Sequence, residues 1–238
     1  MNLRKKGTTM SGGTVGTRRG RLLALSGMFF VAYFIVGLVL GGVLATSAFP
    51  MPDAPAAQTA GYYRDNVSAL AVGGVFQSLS AIALLVFARR VAAFARRVVG
   101  ERDALPRLVL GFGVLAAGLL LVSALFSVTL VLVAPGGDLS LVGALRDLNF
   151  LSGGVAHVVS LGLFVGAASV ATSGTKAVPR WVLRLGAVAA VLSILSLVSL
   201  VWFPATFLIP LGRLLSFVWC VAVGIVLAFG DRQEPGVG

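Results

Sequence analysis

The chain has 238 residues, of which 58% are hydrophobic and only 11% charged, with a mean hydropathy of +1.01. Soluble domains carry about 25% charged residues, so this composition cannot cover a water-facing globule and specifies an integral membrane protein. The net charge of +11 falls in the segments between apolar runs, which points to membrane topology rather than to nucleic acid.

Chemistry-bearing residues are scarce. There is one cysteine, Cys220, and one histidine, His157. That excludes an internal disulfide, a CxxC pair, a Cys-rich zinc site and bis-histidine haem ligation. The eight acids are Asp53, Asp65, Glu101, Asp103, Asp138, Asp147, Asp231 and Glu234, all at or beyond the edges of the apolar runs. A carboxylate-based proton pump or cation antiporter therefore has no buried acid to use. No P-loop and no GxGxxG opening a helix is present. No catalytic residue, cofactor or metal is expected.

Six runs reach the roughly 20 apolar residues that a helix needs to cross a bilayer: 22–48, 66–88, 107–134, 147–172, 181–203 and 206–229. They predict an all-α, polytopic bundle of six transmembrane helices spanning 22–230. A basic, disordered cytoplasmic tail over 1–21 precedes it and a short cytoplasmic tail over 231–238 follows. The apolar stretch from Leu22 to Leu44 is 23 residues. It exceeds the 7–15 of a secretory h-region and reads as an uncleaved anchor.

Between the runs, 49–65 carries Pro50, Pro52 and Pro55 and is expected to be extended or turned. The segment 134–146 opens on a Pro-Gly-Gly-Asp turn signal, and Pro204 and Pro210 flank a tight return. Arg64-Asp65-Asn66 and Arg146-Asp147-Leu148-Asn149 precede the second and fourth runs. Both read as helix caps, with an ancestral hairpin repeat as the sharper alternative. Sixteen Lys and Arg lie on one side and three, Arg64, Arg146 and Arg213, on the other. The positive-inside rule then puts both termini in the cytoplasm and the three short loops outside, in a plasma membrane. Arg89, Arg90, Arg96 and Arg97 extend the second helix along the cytoplasmic headgroups. With the N-terminal tail they would contact anionic lipid, at about 1 kcal/mol per basic residue. No nucleic acid is expected, and a membrane-protein partner or homo-oligomer remains open.

Gln77 lies 11 residues past Asn66 and His157 10 residues past Asp147, so both are expected about 15 Å deep, near the middle of the core. Ser80 and Ser160 lie nearby. Interhelical hydrogen bonding explains such a pair, and a midplane substrate or proton site is the functional alternative. Arg213, three residues after Pro210, is expected to pair externally with Asp65 or Asp147, or to reach carbonyls of a neighbouring helix. The GxxxG pairs Gly37–Gly41 and Gly162–Gly166 are assigned to packing within the monomer. A serine–histidine intramembrane protease is set aside: the Gly-x-Ser-Gly nucleophile motif is absent, and Ser152 lies on the same helix as His157.

Ala60-Gly61-Tyr62-Tyr63-Arg64-Asp65-Asn66 and Gly174-Thr175-Lys176-Ala177-Val178-Pro179-Arg180-Trp181 together resemble a group of small six-helix membrane proteins frequent in actinobacteria. Those have a Tyr-Arg-Asp-His/Asn element before the second helix and a Pro-Arg-Trp-Leu element before the fifth. The chain departs at Val182, where Leu is usual, and has Asn66 where His is common. The resemblance implies the architecture and brings no activity with it. The sequence alone supports a non-enzymatic structural, accessory or envelope-associated membrane protein. A small transporter or channel using the midplane polar residues is the alternative, and an intramembrane enzyme comes last.

Overall fold

A computed structural model of the protein describes residues 23–229. The tails expected over 1–21 and 231–238, with their basic residues from Arg4 to Arg21 and Arg232, lie outside the described residues. The apolar runs fold as helices because hydrocarbon offers no partner to a backbone amide, and a helix satisfies its own. In chain order these are α1 (Ser26–Leu44), α2 (Ala56–Asp65), α3 (Val67–Val99), α4 (Leu105–Val133), α5 (Leu139–Asn149), α6 (His157–Thr172), α7 (Arg180–Leu195) and α8 (Leu208–Phe229). A π-helical segment, Phe150–Ala156, joins α5 to α6. Short 3₁₀ turns occupy Ala134–Gly136, Ser196–Leu200 and Phe203–Phe207. Six segments among the described residues are long and apolar enough to span a membrane: Ser26–Leu44, Val67–Val99, Leu105–Gly136, Leu139–Thr172, Arg180–Leu200 and Phe203–Phe229. No strand occurs among the described residues, and the fold is an all-α membrane bundle.

The spans close into a ring. In order, α1 packs on α3, α3 on α4, α4 on α6, α6 on α7 and α7 on α8, and α8 returns to α1. α6 also touches α3 and α8, which makes the fourth span the most buried. At the centre Phe87, Phe164 and Trp219 meet edge to face with centroids 5.9–6.5 Å apart. Such pairs add about 0.5–1.5 kcal/mol each beyond burial. Large apolar side chains such as Val39, Val43, Leu125 and Leu132 point outward, an arrangement that is stable only against lipid. Both GxxxG pairs pack within the chain. Gly37 and Gly41 face Phe76 and the Ala69 carbonyl of α3, and Gly162 and Gly166 face Ser193 and Ala190 of α7.

The end of the bundle holding α2, the 134–138 turn and the 201–207 return is here termed the upper end. The end holding the 100–104 and 173–179 turns is the lower end. α3 runs unbroken to Val99, carrying Arg89, Arg90, Arg96 and Arg97 as its last turns at the lower end. It stops at Gly100, whose φ of 92° favours glycine and whose N–H bonds the Arg96 carbonyl at 3.0 Å.

The upper end differs from the sequence expectation in three ways. First, 49–65 is not all turn: Ala56–Asp65 is helical, because its buried Ala60, Tyr62 and Tyr63 have Val142 of α5 and Leu130 of α4 to pack on. Second, the fourth span starts at Leu139 rather than at 147. The Asp138 carboxylate caps it, accepting from the N–H groups of Ser140 and Leu141 at 3.1 Å each. Asp147 therefore lies inside a helix and caps nothing. It stays solvent-facing and pairs with Arg146 at 2.9 Å. Third, Asn66 precedes α3 without capping it. Its Oδ1 accepts from the N–H and hydroxyl of Thr46 at 2.7 and 3.0 Å, and its amide donates to the Tyr62 carbonyl at 3.0 Å. A residue expected as a local cap thus fastens the end of α1 to the corner between α2 and α3.

Candidate functional site

A cavity of about 550 Å³ opens at the upper end. Its origin is steric. The close approaches of α1 and α8 lie in their lower and middle parts, where Gly27 meets the Cys220 carbonyl and Phe30 and Phe34 meet Phe217 at 5.1 Å. Above this both helices line the cavity, and Gly37, Gly41, Gly73 and Gly74 on α1 and α3 contribute no side chains to fill it. Most of the wall is apolar, from Phe34, Leu38, Leu70, Leu120, Phe150 and Ile209.

Arg213 enters this cavity from α8. Its Nη2 donates to the carbonyl of Gly153, and its Cζ sits 5.0 Å from the Phe34 ring centroid, a cation–π contact. The guanidinium thus ties the sixth span to the fourth. The ion pair expected with Asp65 or Asp147 does not form: among the described residues Asp65 pairs with Arg64 at 3.5 Å and Asp147 with Arg146 at 2.9 Å. The reason is the early start of α5, which leaves Asp147 on the solvent side of the rim. Among the described residues no carboxylate lies within ion-pairing distance of Arg213. The carbonyl that Arg213 takes belongs to the π-helical turn, a geometry often found at functional sites.

Gln77 and His157 both hang on α4. The Gln77 amide donates to the Leu120 carbonyl at 3.1 Å, and His157 Nδ1 lies 2.9 Å from the Ala116 carbonyl. A carbonyl only accepts, so Nδ1 carries the proton. The two anchors are four residues, about 6 Å, apart along the helix. Gln77 lines the cavity, whereas His157 is fully buried behind its wall. No hydrogen bond joins the two among the described residues. Ser80 donates to the Phe30 carbonyl at 2.8 Å, and Ser160 is buried.

A polar cluster on the cavity wall was not anticipated from the sequence. The Asn149 Oδ1 accepts from the Ser123 hydroxyl at 2.6 Å, and its amide donates to Ser127 Oγ at 3.1 Å and to the Tyr63 phenol oxygen at 3.4 Å. Ser123 and Ser127 are four residues apart and so share one face of α4, which was the available signal. Burial pushes the Tyr63 phenol above its ordinary value, against hydrogen bonds from Ser127 and Asn149 that lower it. At the mouth Arg146 holds Asp147 through two nitrogens at 2.9 Å and donates to the Ala54 carbonyl, fixing the proline-rich segment over the rim. No protein-family model, curated protein or solved structure matches the chain.

Proposed function

We propose that this membrane protein binds, and carries, a small organic anion with an apolar body in its upper cavity. The observation that carries the reading is Arg213, a guanidinium lining an apolar cavity with a backbone carbonyl and an aromatic face as partners and, among the described residues, no carboxylate in ion-pairing reach. A charge at such depth costs about 3 kcal/mol or considerably more. A carbonyl dipole and a ring offset only part of that, and a ligand carboxylate or sulfonate completes it. Gln77 and the Asn149 cluster offer further polar contacts, and the glycine faces of α1 and α3 leave room for the apolar remainder. The cavity favours this carrier reading over a purely structural role, which a dry, filled bundle would have supported.

In this reading the protein is non-enzymatic. The basic lower end faces the cytoplasm and the cavity opens to the outside of the plasma membrane, as the charge bias indicates. The test is calorimetric titration of the detergent-solubilised protein with benzoate and hexanoate, followed by uptake of labelled benzoate into proteoliposomes. Binding is expected for the wild type and at least about tenfold weaker for Arg213→Gln, the scale of one lost charge-assisted hydrogen bond. Equal affinity in the two proteins, or no binding of either acid, would overturn the reading.

A further inference from the structure

A second hollow, sharing no lining residue with the upper cavity, lies on the outside of the bundle. Its volume is about 580 Å³. α8 forms its floor with Leu214, Ala222 and Ile225. Val31 and Ile35 of α1 form one wall and Trp181 of α7 the other. All its lining residues are apolar. From Ile225 to Leu214 is eleven residues, about 16 Å along the helix. That is roughly half of the 30 Å hydrocarbon core, the depth of a single leaflet. The groove starts at the lower end, where Pro179 and Trp181 line it, and it ends near mid-membrane.

The chemistry at that lower end is directional. Trp181 is 58% exposed, as expected for an aromatic side chain at the headgroup level. Lys176, Arg180 and Arg184 are exposed within about one turn of it. Among the described residues no ion pair engages these cations, and α6, α7 and α8 carry no Asp or Glu. An apolar trench one leaflet deep, with exposed positive charge at its headgroup end, is complementary to one kind of molecule.

We propose that this groove is a binding site for an anionic glycerophospholipid of the lower leaflet, with one acyl chain along α8 between α1 and Trp181 and the headgroup phosphate against Arg180 and Arg184. It is separate from the arginine-rich end of α3 and independent of the upper cavity. The acyl chain supplies most of the contact, and the two arginines select net negative charge.

The experiment is native mass spectrometry of the intact protein released from nanodiscs containing equal amounts of phosphatidylglycerol and phosphatidylcholine of the same chain length. Preferential retention of phosphatidylglycerol is expected. Its apparent affinity should fall about fivefold for Arg180→Ala and again for Arg184→Ala, the effect of one basic residue at an anionic surface. Arg89→Ala should leave it unchanged. Ala222→Trp, which fills the trench, should remove the retained lipid while elution volume and circular dichroism stay those of the wild type. If that variant fails to fold, the exposed double variant Arg180→Ala/Arg184→Ala decides. Equal retention of both lipids, retention unchanged in the arginine double variant, or displacement of phosphatidylglycerol by glycerol phosphate as effective as by whole lipid would overturn the proposal.

Discussion

Arg213 on α8 donates to the main-chain carbonyl of Gly153, sixty residues earlier and inside the one π-helical turn of the described chain. This bond spans the cavity wall and joins the sixth span to the fourth. Arg213→Ala removes a charge-assisted hydrogen bond of about 1.5–3 kcal/mol, partly offset by relief of the desolvation of the charge. A fall of several degrees in the unfolding midpoint in detergent is expected, against no change for Arg232→Ala in the C-terminal tail. Equal midpoints for the two variants would show that the bond ties nothing together.

Gly153 also lies against Ser123, and a Cβ at 153 would overlap the Ser123 side chain. Gly153→Ala should therefore destabilise by about 1–3 kcal/mol through overpacking. The remedy is specific: Ser123→Gly in the Gly153→Ala background should recover part of the loss by removing the colliding atoms. A double-mutant cycle on thermal unfolding measures this coupling, and strict additivity would contradict the contact between residues 153 and 123.

Asn149 holds three side chains from two other helices. Bonds of this kind in membrane proteins average about 0.6 kcal/mol each, so Asn149→Leu is expected to cost roughly 2 kcal/mol. Ser123→Ala, which removes a single bond to Asn149, should cost about a third of that. Chemical unfolding in mixed micelles compares the two, and a Ser123→Ala loss as large as that of Asn149→Leu would count against the network.

Tyr63 gives the protein an alkaline dependence. Its phenol is raised from the ordinary value of 10.0 chiefly by burial. Folding therefore favours the neutral form. The resulting stability is fully present below pH 10 and is lost as pH rises through the folded-state value. Thermal midpoints should fall above pH 10, and less so in Tyr63→Phe. Asn149→Leu removes a hydrogen bond that lowers the Tyr63 value, so the phenolate absorbance should appear at higher pH in that variant. An unchanged or earlier titration would contradict the assignment.

Topology is testable without removing the native thiol, because Cys220 is buried and will not react in the folded protein. Gln58→Cys should be labelled by a membrane-impermeant maleimide on intact cells, and Glu101→Cys and Lys176→Cys only after lysis. The reverse pattern would invert the orientation drawn from the basic loops.

Hydropathy made the six spans legible because the need for about 20 apolar residues is set by the bilayer and met locally by each run. The internal role of Gly37–Gly41 and Gly162–Gly166 could likewise be read from small residues spaced along a helix face. Asn66 does not cap its helix because the fold brings Thr46 to its side-chain oxygen, and Asp147 does not because its helix already starts at Leu139, capped by Asp138. The helix over 56–65 needed a surface from α4 and α5 to bury Tyr62 and Tyr63. The cavity needed α1 and α8 to separate above Phe34, and the Asn149 cluster needed three helices to converge. The sequence by itself determined how many times this chain can cross a membrane and which ends are basic. Where Arg213 points, and the space it points into, were decided only by tertiary packing, because a hydrogen bond between residues sixty apart has no local signature until the helices that carry them meet.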